Sequence, residues 1–322
     1  MSGPVSTRRA LAWAAGALIV LGGLCATLPD EAFLYARVGG IWRCVTHFAA
    51  VADADLVGAL HAAFFEAHAE VRDAEPASLA TYGLGDQRLR VTFHGPRVLE
   101  ADDRDVLLAF EVGAALDGHG FVRREGEPAV LAIDAAPRAL LDRPVTQSVP
   151  PLLDRRVLAG LPKGPSVGFE RFRFQRLEGE SFEVRREAVG GDEPGWRWVL
   201  RRGATPADGD PGEPVPPERA FGFISFALRA NWFGFANPAA ADDLGRTPAV
   251  GAVRLTPLGA REGEVIELVV GQPRPQGLSS IQNRSTGMLV QVDAQTARLF
   301  APDAGAFVDP NRENPWQLWL GR

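Results

Sequence analysis

The sequence predicts an α+β protein: an N-terminal transmembrane helix, then two tandem units, each a mostly antiparallel sheet with one helix. Three observations carry this. Residues Ala10 to Leu28 hold no charge. A set of landmarks recurs in one order about half a chain later. In each half, short segments alternating apolar and polar residues surround a stretch with helical periodicity. The boundaries read as 1–9 cytoplasmic, 10–28 anchor, 32–142 first repeat, 143–167 linker and 168–322 second repeat.

The 19 residues from Ala10 to Leu28 would make a helix of about 28 Å, close to the hydrocarbon thickness of a bilayer. Arg8 and Arg9 precede the run, and Pro29, Asp30 and Glu31 follow it. Positive charge on the short N-terminal side predicts a cytoplasmic N-terminus and an exported body, tethered to the inner membrane in the periplasm or extracytoplasmic space. A cleaved signal is the rival reading. Its small-x-small cleavage pattern is poorly met, because Leu24 and Ala26 flank Cys25.

Composition bounds the rest. With 46% hydrophobic and 23% charged residues the chain can bury a core, and its 35 glycines and 25 prolines supply turns without reaching a disordered composition. A net charge of −6 argues against a nucleic-acid binder, which needs a concentrated basic surface. Cys25 and Cys44 are too few for a disulfide framework or a zinc site.

Trp42 and Trp198, Leu84 and Leu244, Gly113 and Gly271, and Asp134 and Asp293 stand roughly 158 residues apart, far beyond the ~20–50 residues of a solenoid repeat. A duplicated domain follows.

In the first unit, "FLYARV" and "IWRCVTHF" predict a hairpin around Gly39 and Gly40. Asp53 and Asp55 open a helix expected to reach Arg72, with Leu56, Leu60, Phe64, Ala67 and Val71 on one face. "RLRVTF", "VLLAFEV", "GFVRRE" and "AVLAID" alternate as half-buried strands do, and "PRALLD" makes a closing helical turn. The proline-punctuated "RPVTQSVPPLLDRR" marks the linker. The second unit opens on "FERFRFQR", "SFEVRREA" and "GWRWVLRR". A loop rich in Pro, Gly and Asp then leads to a helix from Pro217 to Phe233.

The ordered features "GGIW", "TYGLG", "LAFEVG" and "AVLAID", followed by "GWRW", "DLGRTP", "LVVG" and "LVQVD", resemble the bacterial envelope family called domain of unknown function 4340. The resemblance covers most of residues 32–312. Pro248 fits the proline that follows the family's turn, whereas "GLGDQR" lacks it. The resemblance implies an N-terminal anchor and an accessory role beside ABC-transporter or gliding-motility-type envelope systems. It brings no catalytic residues.

Catalytic motifs are weak. Ser166 in "GPSVG" lacks the strand before it and the helix after it that a nucleophile elbow needs. His61 and His68 are seven apart, not at the four-residue spacing of a zincin pair. Asp102, Asp103 and Asp105 lack the spacing of a calcium loop, and Asn283 opens a glycosylation sequon by spelling alone. No catalytic residue, cofactor or metal is expected.

Two surfaces are candidates for contact. Arg171, Arg173, Arg185 and Arg197 alternate with aromatics, so three neighbouring strands would bury rings on one face and show arginines on the other. That arginine face is a candidate for anionic surfaces, or else is paired with Glu170 and Glu183. The Pro217–Phe233 helix is apolar on two sides. Phe221, Ile224, Leu228 and Trp232 read as the core stripe. Phe223, Phe226 and Phe233 lie opposite, as a candidate partner interface unless the chain itself covers them. The expected function is a non-catalytic, membrane-anchored scaffold or accessory subunit. The alternative is a lipid- or glycan-binding module with a groove between the repeats. A hydrolase is the weakest reading.

Overall fold

The computed structural model describes residues 23–28, 31–84, 89–95, 106–116, 118–142, 149–164, 167–189, 195–203, 210–236, 250–261, 264–272 and 277–320. They form two compact units that divide between Asp154 and Arg155.

The first unit runs β1 (Gly23–Thr27), β2 (Ala32–Val38), β3 (Ile41–Cys44), β4 (Ala50–Val51), α1 (Ala54–Phe65) and β5 (Ala69–Asp73). It continues with β6 (Leu89–His94), β7 (Val106–Leu116), β8 (His119–Arg124), β9 (Val130–Ile133) and α2 (Pro137–Leu141). Its nine strands are ordered β4-β3-β2-β1-β6-β7-β8-β9-β5. Helix α1 therefore carries the chain from one edge of the sheet to the other. Asp53 caps its start, with Oδ1 accepting from the backbone N–H of Asp55 at 3.0 Å and of Leu56 at 3.4 Å.

The second unit runs β10 (Phe169–Arg176), β11 (Phe182–Val189), β12 (Gly195–Arg202), β13 (Glu213–Val215), α3 (Pro217–Arg229) and β14 (Gly234–Phe235). Then come β15 (Gly251–Pro257), β16 (Ile266–Val270), β17 (Leu278–Asn283), β18 (Met288–Asp293), α4 (Ala294–Phe300) and α5 (Gly305–Val308). Its order, β13-β12-β11-β10-β15-β16-β17-β18-β14, repeats the first position by position. Trp42 and Trp198 both sit on the third strand of their unit.

Gly113 shows why one landmark is a glycine. A Cβ there would stand 2.1 Å from the Tyr82 carbonyl oxygen, so the 3-10 turn Leu79–Tyr82 rests directly on β7.

The fold class needs correction at three places. No described helix is long and apolar enough to cross a membrane. The expected anchor over 10–28 is cut short by β1, which lies inside the first sheet between β2 and β6. A run of small and apolar residues serves a buried strand as well as a membrane helix, because both are covered by apolar surroundings. Residues 10–22 lie outside the described residues. Second, each unit is a nine-stranded antiparallel sheet that dominates its helices, so the α+β class expected for the sheet-plus-helix units does not hold. Third, α1 stops at Phe65 instead of reaching Arg72, because Ala69–Asp73 pairs with β9 as the far edge strand.

The stretch read as a linker, 143–167, is built into the units over its described part. The Asp53 N–H donates to Leu152 O at 2.8 Å, and the Asp154 N–H donates to Val51 O at 3.0 Å. Just downstream, the Val157 N–H donates to Ala230 O and the Trp232 N–H to Arg155 O, both at 2.8 Å, closing the second unit over the end of α3.

The core of the second unit is aromatic. Phe172, Phe174, Phe182, Phe223, Phe307 and Trp316 are each fully buried. The C-terminal segment lies on α3. Buried Arg219 donates Nη1 to Ala306 O at 2.6 Å and Nη2 to Arg312 O, tying that segment down. Gly222 brings the helix close beneath it, since a Cβ there would lie 3.1 Å from the Cβ of Trp316.

Candidate functional site

The helix α3 is apolar around most of its circumference, and the structure decides which side is covered. Phe223 and Phe226 are 0% exposed. Phe223 packs against Phe172 and Trp316, and Phe226 against Phe300 and Trp319. The chain's own C-terminal segment thus closes the face expected to receive a partner. Of the three candidate interface residues only Phe233 reaches the surface. Of the stripe expected to be core, Ile224 and Trp232 are buried, whereas its Phe221 edge faces outward, 53% exposed.

This side of α3 floors a groove of about 1190 Å³ in the second unit. Pro217, Phe221, Ile224, Ser225, Leu228 and Arg229 come from α3, at the spacing that puts them on one helix face. Arg186 of β11 and Trp196 and Trp198 of β12 form a second wall. Arg156, Pro162–Gly164, Val167 and Gly168 form the third, with Phe169 and Leu258.

Local sequence explains each wall. Pro216 and Pro217 start α3 without losing a needed helical N–H. Pairing of Arg186 with Trp198, and of Ala188 with Trp196, puts the two tryptophans and Arg186 on one side of the sheet. The Arg186 guanidinium lies 4.4 Å over the Trp196 ring, which is 62% exposed. Arg156 folds its own segment into shape, donating Nη2 to Leu161 O at 2.6 Å. Asn231, beside it, forms a backbone bridge with Arg156.

The charge in the groove has one sign. Among the described residues its charged lining is Arg156, Lys163, Arg186 and Arg229, with no Asp or Glu, in a chain of net charge −6. Among the described residues, no carboxylate lies within ion-pair distance of Arg186 or Arg229.

The other face of this sheet is the one expected to display arginines, and Arg171, Arg173, Arg185 and Arg197 do lie there. Its carboxylates lie among them. Glu187 takes Arg185 at 2.5 Å, Arg201 at 2.7 Å and Arg197 at 3.6 Å. Arg173 stands opposite Glu183 in the register, and Arg254 pairs with Glu267 at 2.8 Å. Of the four candidates, Arg185 and Arg197 are held by Glu187. Sequence reasoning named Glu170 and Glu183 as partners and missed Glu187, two residues along the same strand. It also missed Arg186, whose neighbour Arg185 took the attention.

Elsewhere, chemistry is sparse. Burial pushes the Cys25 and Cys44 thiols up, which keeps them protonated and poorly nucleophilic. Burial holds His61 below the usual imidazole range, and it stacks on Phe65 at 4.6 Å. His68 lies past the end of α1, beside Glu70, so the two histidines share no helix face. Among the described residues, no three His, Cys, Asp or Glu side chains group to hold a metal. Asn283 is buried. Its amide donates to Val157 O at 3.2 Å and its Oδ1 accepts from Ser285 N–H at 3.1 Å, so it braces a turn. Ser166, Asp102, Asp103 and Asp105 lie outside the described residues.

A family model described as Domain of unknown function (DUF4340) matches residues 42–218. The match runs from Trp42 on β3 to Glu218 in the first turn of α3, so it takes in parts of both units. No curated protein and no solved structure matches the chain.

Proposed function

Because the chain belongs to the Domain of unknown function (DUF4340) family, we propose that it works by binding, as a non-catalytic accessory subunit of the cell envelope whose ligand site is the groove of the second unit. The groove carries this reading. It combines an apolar floor, an exposed aromatic wall and the guanidinium groups of Arg186 and Arg229, the make-up of a ligand cleft with a few orienting polar groups.

In this proposal the body works outside the cytoplasm. Ala10 to Gly22 is uncharged and follows Arg8 and Arg9, the pattern of the apolar stretch of about 7–15 residues in an export signal. Partnership with an envelope complex of transporter or motility type belongs to the proposal and rests on the family resemblance alone.

Native mass spectrometry of the wild-type protein and Ser225→Trp, both taken from the cells that make them, tests the binding reading. Ser225 faces the groove, so an indole there fills it. A non-protein mass retained by the wild type and lost from the variant is expected. Identical spectra from two equally stable proteins would contradict it.

A further inference from the structure

The nature of the ligand follows from how charge and apolar surface are arranged, and this step rests on the binding reading above. We propose that the groove of the second unit holds a single-chain anionic amphiphile, with its tail along α3 and its carboxylate or phosphate head paired to a rim arginine.

The tail side of the argument is α3. Phe221, Ile224 and Leu228 line the groove along about two turns of the helix, roughly 10 Å, with Phe221 half exposed and Ile224 buried in the floor. No side chain of the described C-terminal segment lines this face, whereas the opposite face is sealed by Trp316 and Trp319. A large aromatic left half exposed beside a concave wall is where apolar surface gains most from being covered.

The head side is electrostatic. Arg186 stands across β11–β12 pairing from Trp198, whose ring meets Phe221 at 6.4 Å, so it rims the stripe near Phe221. Arg229 follows Leu228 at the other end. Guanidinium groups without a carboxylate partner favour a planar or tetrahedral oxyanion, which accepts two N–H bonds at once. A cationic amphiphile would meet Arg186 and Arg229, with no Asp or Glu among the described lining residues to receive it. A neutral glycan would find Ser225 and Asn231 but no carboxylate to accept from its hydroxyls. The first unit lacks this arrangement on its equivalent helix, where Ala54, Asp55, Gly58 and Ala59 are the exposed residues of α1.

Isothermal titration of the purified protein below micelle concentrations decides it. The probes are dodecanoate, dodecyl phosphate, dodecyltrimethylammonium, a neutral dodecyl glycoside, inorganic phosphate and an acidic aromatic peptide. Either anionic amphiphile should bind at least about tenfold more tightly than the neutral or cationic one. Whichever anionic head binds better identifies its chemistry, and inorganic phosphate alone should bind far more weakly than dodecyl phosphate. Arg186→Gln and Arg229→Gln should separate the ends, with at least one of them removing the preference for anions. Ser225→Trp should abolish binding with the melting temperature kept.

Equal binding of neutral and anionic probes would overturn the anionic assignment while leaving the groove as a binding site. Tighter binding of the peptide would overturn the amphiphile. Binding unchanged by Ser225→Trp, or no binding by any probe, would overturn the groove reading as well.

Discussion

Phe226 is where the structure most changes what its sequence suggests. Its neighbours Phe221, Phe223 and Ile224 are equally apolar, so periodicity alone gives two candidate core faces on α3. The deciding information lies about 80 residues away, in Phe300, Phe307, Trp316 and Trp319, which no local pattern links to the helix. Phe226→Asp should therefore unfold the second unit, because a carboxylate would be buried with no counter-ion. Phe226→Ala should cost about 3–5 kcal/mol, read as a fall in chemical-denaturation midpoint. An unchanged midpoint for either would contradict the burial. Asp303 gives a pH test. Its hydrogen bond to Arg312, at 2.5 Å, holds the carboxyl below the ordinary carboxylate value. The ionised pair thus stabilises the fold above about pH 4, and that share is lost as pH falls through the depressed value. Asp303→Asn should lower the melting temperature at pH 7, and the gap from wild type should close on acidification below about pH 4. A gap constant with pH would show that the charge contributes nothing.

Among the elements, strands were the easier part to read. "FERFRFQR" becomes β10 with Phe172 and Phe174 inward, because alternation reports directly on a sheet buried on one face. The two- and three-residue strands β4, β13 and β14 carry too little pattern to be seen, although they set the sheet edges. β1 was hidden for another reason: it is short and enclosed by neighbours on both sides, so it has no polar alternation and merges with the apolar residues before it. The groove stayed illegible because its three walls come from α3, the β11–β12 pair and the residues Arg156, Pro162–Gly164, Val167 and Gly168, which only the fold brings together. Gly113→Ala tests the fit between β7 and the Leu79–Tyr82 turn. The added methyl would meet a backbone oxygen at 2.1 Å, so a loss at or above the usual ~1–3 kcal/mol of overpacking is expected. Phe221→Ser, in contrast, should leave the melting temperature nearly unchanged, since that ring is half exposed and serves the groove.

For the molecule as a whole, duplication has given two sheets of one topology and two helices of different character. The landmarks that betray the duplication are structural: a tryptophan on each third strand and a glycine that lets a turn approach. The residues that differ are those on the outward face of the crossing helix, small or acidic in α1 and larger and mostly apolar in α3. We read the first unit as framework and the second as the binding unit. N-terminal sequencing of the protein recovered from the envelope should find a chain beginning close to Gly23, with β1 intact. An intact N-terminus on protein found in the cytosol would contradict the export proposal without touching the groove. The central claim, that the second unit binds and the first supports, is tested most directly by amide hydrogen exchange with and without saturating dodecanoate. Slowed exchange should concentrate in α3, in β11 and β12, and in residues 156–164, with the first unit unchanged. Protection spread over β1–β9, or none along α3, would contradict it.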